Sequence, residues 1–309
     1  MKMTNTKIAL LVGLGLLAPL VIYPVFLMKV LCFALFACAF NLLLGFTGLL
    51  SFGHAAFLGT GGYVTGYLMI NTGLTPELGI LCGTLAAGVV GAVYGKLAVK
   101  REGIYFAMVT LALAQLLFFV YLQAPFTGGE DGLQGVPRGF LFGLIDLTDN
   151  TYLYYVVYAI FLFGFWLVYR TVHSPFGQIL KAIRENEPRA ISLGYNVSQY
   201  KWVAFVISAA LAGLAGSTKT LVFQLASLND VHWHLSGEVV LMTLLGGMGT
   251  IAGPLVGAGV VVTIQNYLSG GELGNYVSII MGVIFIICVL LFRNGIVGEL
   301  QRLIKRNFS

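Results

Sequence analysis

The sequence predicts an all-α, polytopic transmembrane helical bundle of about ten spans, with glycine-rich segments that break or re-enter the membrane. Three observations carry this. The 309 residues are 58% hydrophobic and 9% charged, with a mean hydropathy of +0.92, a balance outside the range of soluble domains. The apolar residues come in long uncharged blocks rather than in period-two alternation, which excludes a transmembrane β-barrel. The blocks are also long enough for helices to cross about 30 Å of hydrocarbon with every backbone polar group satisfied internally.

Taken in order, uncharged stretches place spans at 8–28, two within 30–76, then 78–95, 103–123, 152–169, 202–223, two within 239–271, and 273–292. The first run follows Lys2 and Lys7 and is too long for a signal peptide, so it is expected to stay as an uncleaved span interrupted by Pro19 and Pro24. Charge distribution orients the chain. With the N-terminus inside, Lys96, Lys100 and Arg101, the segment 170–201, and the tail with Arg293, Arg302, Lys305 and Arg306 all fall on the cytoplasmic side. The connection 124–150 falls outside, with Glu130, Asp131, Asp146 and Asp149 against Arg138 alone. A multi-pass membrane protein with both termini cytoplasmic is expected, a single transmembrane domain over 1–309 with no large soluble part. The net charge of +5 is not gathered into a cluster dense enough for nucleic acid. Cys32, Cys38, Cys82 and Cys288 lie in apolar runs without C-x-x-C spacing and read as packing residues.

The segment between Arg170 and Lys201 is the most informative. Ser174 is placed to cap a helix with Pro175 at its first position, and Phe176, Ile179, Leu180 and Ile183 recur on one face with Lys181, Arg184 and Glu185 opposite. Asn186 is placed to cap a second helix that begins near Pro188 and ends at Gly194. Two readings stand: an amphipathic pair lying on the bilayer, or a docking element for a cytoplasmic partner. Elsewhere, Leu43-Leu44-Gly45-Phe46-Thr47-Gly48 and Leu244-Leu245-Gly246-Gly247-Met248-Gly249 share the pattern L-L-G-x-x-G inside long apolar runs. Such breaks serve either close helix packing or a transport pathway.

Polar residues within spans are functional candidates. Glu238 stands where an apolar run begins, at the outer interface or on the path; His54 makes a packing hydrogen bond or faces the path; Asn41 and Gln115 lie deeper and suit hydrogen bonds across helices. Lys219, near the outer end of its span, is expected to snorkel to the interface. The acidic stretch 127–132 reads as a turn, and His232-Trp233-His234 as an interface anchor rather than a metal pair. Residues 91–97 fall one short of a nucleotide-binding P-loop and lack its Ser or Thr.

The segment 174–194 resembles the cytoplasmic coupling loop of ATP-binding-cassette importer permeases, whose pattern is E-A-A-x-x-x-G; Ala190 and Gly194 match, while Pro188 and Arg189 replace the first two positions. Residues 41–62, 127–137, 174–194 and 236–257 together resemble, in order, the permeases of the branched-chain (hydrophobic) amino acid importers. The resemblance implies a single permease domain over 1–309 in a bacterial inner membrane, which forms half of a translocation pathway and performs no covalent chemistry. It implies a second homologous permease, two cytoplasmic ATP-binding subunits that hold ATP and magnesium, a periplasmic substrate-binding protein, surrounding membrane lipid, and no cofactor on this chain. The coupling loop would cover about 173–199, with Ser174, Gly177, Arg184, Glu185, Ala190 and Gly194 in it. Substrate would pass Asn41, Gly45, Gly48, His54, Gln115, Glu238, Gly246 and Gly249. Urea or a short amide is the alternative cargo, and an ion-coupled secondary transporter the alternative class; the latter would be expected to carry deep carboxylates.

Overall fold

The computed structural model describes residues 13, 15–143, 145–270, 277–291 and 295–299. The basic termini at Lys2, Lys7, Arg293, Arg302, Lys305 and Arg306, and the side chain of Cys288, lie outside what it describes.

The long helices are α1 (Pro24–Thr47), α2 (His54–Thr72), α3 (Pro76–Ala98), α4 (Gly103–Gln123) and α5 (Asn150–His173). A short pair follows, α6 (Pro175–Glu185) and α7 (Glu187–Ser192), and then α8 (Val197–Phe223), α9 (Trp233–Gly246), α10 (Gly253–Ser269) and α11 (Val277–Leu291). The expected span over 8–28 is not continuous. Its described part breaks at a 3₁₀ turn over Ala18–Leu20, and Pro24 opens α1 instead of kinking a longer helix. Both prolines sit in the first turn of their helices, where the missing N–H costs nothing.

Among the described residues, α1, α3, α4, α5 and α8 are long and apolar enough to cross a membrane by length and composition, so a count of ten is not reached. The difference has physical causes. Glycines, threonines and His54 dilute α2, which tolerates this because most of its residues are buried against protein rather than lipid. The break at 247–252 leaves α9 with 14 residues and α10 with 17.

The bundle is built around α1 and α8, with 72% and 78% of their apolar windows buried, while α4, at 17%, lies on the periphery. Small residues let α3 and α8 approach. Gly83, Ala87, Gly91 and Gly95 recur every fourth residue along α3, and Cβ atoms added at Gly91 and Gly213 would strike Ala209 and Ala87 across the seam. The near-miss to a P-loop at 91–97 is thus a packing surface within α3. Trp202 closes one end of the seam by donating from Nε1 to the Ala92 carbonyl at 2.8 Å.

The two ends of the bundle are finished differently. At one lie α6 and α7. At the other, residues 124–149 form a cap in which β1 (Leu133–Gln134) pairs antiparallel with β4 (Leu225–Ala226), and β2 (Phe140–Leu141) forms a hairpin with β3 (Ile145–Asp146). Arg138 staples the cap, donating to the Val222 carbonyl at 2.7 Å and to Asn150 Oδ1 at 2.9 Å. Thr148 donates from its N–H and its hydroxyl to Asp146, holding that carboxyl below the usual carboxylate range.

Candidate functional site

The α6–α7 hairpin forms as its capping signals predict. Ser174 Oγ accepts from the Gly177 N–H at 3.3 Å, and Asn186 Oδ1 accepts from the Arg189 N–H at 3.0 Å. Gly194 ends the turn at φ +88°. Within the hairpin, Ile183 and Ala190 pack with Val197. Gly177 sits against the last turn of α5, where a Cβ would strike the carbonyls of Thr171 and Val172. Lys201, 4% exposed, holds α7 to α8 through both carboxylate oxygens of Glu187 at 2.6 Å. Ser174, Gly177 and Ala190 therefore shape the hairpin. Its outer edge is formed by Glu185, Pro188, Arg189, Ile191 and Leu193, all exposed, with the two large apolar side chains at 58% and 67%.

The two L-L-G-x-x-G segments meet each other, directly behind this hairpin. Gly48 ends α1 at φ +79°, its N–H bonded to the Leu44 carbonyl and the Leu49 N–H to that of Leu43. In the second segment Gly249 adopts φ +76°, and Thr250 Oγ1 accepts from the Gly253 N–H at 3.0 Å to start α10. Asn41 joins the two. Its Nδ2 donates to the Thr250 carbonyl at 2.8 Å, and its Oδ1 accepts from the Gly249 N–H at 3.0 Å. Gly45 lies so close that a Cβ would come 2.5 Å from the Gly249 nitrogen. Gly246 is as tight against the start of α10, where a Cβ would strike the Gly253 carbonyl. Arg184 completes the group. It leaves the polar face of α6, runs its stem along Gly48, and donates from Nη1 to the Gly45 carbonyl.

The other candidates stand apart. His54 is fully buried, 2.7 Å from Ser208 Oγ through Nε2 and edge-on to Phe40 and Phe57. Since the single Ser208 proton goes to the Ala39 carbonyl at 2.6 Å, the imidazole proton sits on Nε2, and Nδ1 has no partner among the described residues. Gln115 lies on the outward face of peripheral α4, in a shallow groove with Phe119 and Gln123. Glu238 lies near the cap end, 3.7 Å from His234.

That end carries a group the sequence reading missed. Lys219 does not snorkel: it is paired with Asp230 and lies over the rings of Phe33 and Phe223 at 5.7 and 6.0 Å. Lys29 and Glu238 lie within electrostatic range of each other and Lys29 of Lys219. Tyr63 stacks on Tyr121 with centroids 4.7 Å apart, and its buried hydroxyl has no partner among the described residues. The available signal was charge balance, with Lys29, Lys219, Asp230 and Glu238 all bordering apolar runs expected to end on one side. His232 and Trp233 belong to the start of α9, where His232 Nδ1 accepts weakly from the His234 N–H at 3.4 Å.

Apolar membrane-length helices, a bundle core of small-residue seams, and a capped amphipathic hairpin at one end are the features of an integral membrane protein. The chain belongs to the family described as branched-chain amino acid transport system / permease component, whose model matches residues 24–289, beginning where α1 begins. The high-affinity branched-chain amino acid transport system permease protein LivM of Escherichia coli (strain K12) is 26% identical over 273 residues, 81% of this chain and 64% of that protein. The LivM protein of Salmonella typhimurium is 25% identical over the same shares, so the chain spans 64% of the length of these relatives. The corresponding LivH permease protein of Escherichia coli (strain K12) is 26% identical over 86% of this chain and 91% of its own length. No solved structure matches the chain.

Proposed function

We propose that the chain is a permease subunit of an ATP-driven importer for branched-chain or other hydrophobic amino acids, forming half of the translocation pathway beside a second, homologous permease. The observation that carries this is the α6–α7 hairpin, whose exposed edge at Glu185, Pro188, Arg189, Ile191 and Leu193 offers two apolar knobs in a polar rim to a partner. One of two nucleotide-binding subunits, which hold ATP and magnesium, docks there from the cytoplasm. The stapled, net-acidic cap faces outward in a bacterial inner membrane and receives a substrate-binding protein, and the charge asymmetry that orients the loops supports this sidedness. The chain performs no covalent chemistry; alternating access driven by the partner subunits moves substrate past its buried breaks.

The test is to purify the tagged chain from its native membranes in mild detergent, identify what accompanies it, and measure leucine uptake after reconstitution. The expected result is a second permease, two nucleotide-binding subunits, and uptake that requires ATP. Recovery of the chain alone, taking up substrate without ATP, would overturn the reading in favour of a secondary transporter.

A further inference from the structure

We propose that Arg184 is a positioning residue that joins the docking hairpin to both glycine breaks, and not a contact to the nucleotide-binding subunits. The inference rests on the proposed function and assigns one residue's part in it. An α-helix leaves its last four carbonyls without intrahelical donors. In α1, which ends at Thr47, the Gly48 and Leu49 N–H groups take the carbonyls of Leu44 and Leu43, and Arg184 takes that of Gly45. A cation at a helix C-terminus also meets the negative end of the helix dipole, so this bond is charge-assisted as well as geometrically defined. Arg184 therefore caps α1 from a different element.

The same side chain touches the second break. A Cβ added at Gly249 would lie 3.1 Å from Arg184 Nη1, and one added at Gly48 would lie 3.2 Å from its Cγ. Gly249 is in turn fixed to α1 by Asn41. Leu180, one turn before Arg184 on the same face of α6, is buried in the bundle core, and Ile183 packs on Val197 at the start of α8, so the helix that carries the guanidinium is seated against the bundle. A displacement of the hairpin is then transmitted to the end of α1 and, through Asn41 and Gly249, to the turn between α9 and α10. These are packed elements with specific bonds, which shift between discrete arrangements rather than deforming continuously.

The test uses the complete reconstituted importer with Arg184→Gln, Arg184→Lys and, as a control on the same helix, Glu185→Gln. Three quantities are read: subunit stoichiometry, ATP hydrolysis, and substrate transported per ATP. Arg184→Gln is expected to keep the nucleotide-binding subunits bound while transport per ATP falls about tenfold, with part of the loss recovered by Arg184→Lys. Loss of those subunits from Arg184→Gln, or an unchanged transport-to-hydrolysis ratio, would overturn the proposal. Hydrogen exchange on the unmodified complex gives a readout independent of whether the variants fold. Addition of ATP should change protection of 43–50 and 246–253 together, and a change confined to α6 and α7 would overturn the relay. Absence of nucleotide-binding subunits from the unmodified preparation would overturn the proposed function itself and is seen before any variant is made.

Discussion

The cap end and the junction of the two glycine breaks are held by different chemistry. At the cap end, Lys219 is paired with Asp230 among aromatic rings, Lys29 and Glu238 lie nearby, and Arg138 and a short β-pair bind the connection 124–149 to the end of α8. At the hairpin end, where Lys201 and Glu187 pair between α7 and α8, the junction of the two breaks is held by the Asn41 amide, glycine backbone and the Thr250 hydroxyl, with the Arg184 guanidinium on its edge and Lys181 over the Phe46 ring. Buried opposite charges resist separation, because each partner left alone would be uncompensated. Amide and backbone hydrogen bonds between glycine turns exchange more readily, since each contributes about 1 kcal/mol net and glycine tolerates the dihedral changes. The junction of the breaks is thereby the easier of the two to rearrange.

This comparison can be broken by measuring the thermal stability of the purified chain. Lys219→Met leaves Asp230 buried without its cation and is expected to cost the most, about 3–5 kcal/mol, with the double variant Lys219→Met/Asp230→Leu recovering most of the loss. If the single variant is as stable as the parent, the cap end is not locked by charge. Asn41→Leu removes both bonds between the breaks and leaves the Gly249 N–H and the Thr250 carbonyl unpaired, for an expected loss of about 2–4 kcal/mol. A loss larger than that of Lys219→Met would reverse the ranking of the two ends. Ser174→Ala deletes the N-cap of α6 and the hydroxyl's bond to the Thr171 carbonyl, and should cost about 1 kcal/mol, read as a small fall in the melting midpoint.

Much of this architecture was legible in the sequence because membrane burial writes itself in composition. The helix expected from 103 to about 123 spans Gly103–Gln123, and the caps at Ser174, Asn186 and Gly194 follow from local rules that tertiary packing did not override. What escaped was whatever depends on contact between distant segments. Proline reads as an interruption until it is known to start a helix, so Pro24 was placed inside a span. The glycine period along α3 stood in the sequence, yet its meaning lies in Ala209 and Gly213 on α8. The likeness of the two L-L-G-x-x-G segments was visible, but that Asn41 bonds one to the other across about 200 residues was not. Lys219 shows the same limit: a lone cation near a span end reads as snorkelling until Asp230 is seen beside it.

On the proposed function the two ends face opposite compartments, with the hairpin on the ATP side. Single cysteines at Leu193→Cys in the hairpin and Phe142→Cys in the cap, both exposed positions, test it most directly in a background where Cys32, Cys38, Cys82 and Cys288 are replaced. A membrane-impermeant maleimide should label Phe142→Cys in right-side-out vesicles and Leu193→Cys only in inverted ones. Labelling of both from the same side, or of Leu193→Cys from outside, would contradict the account.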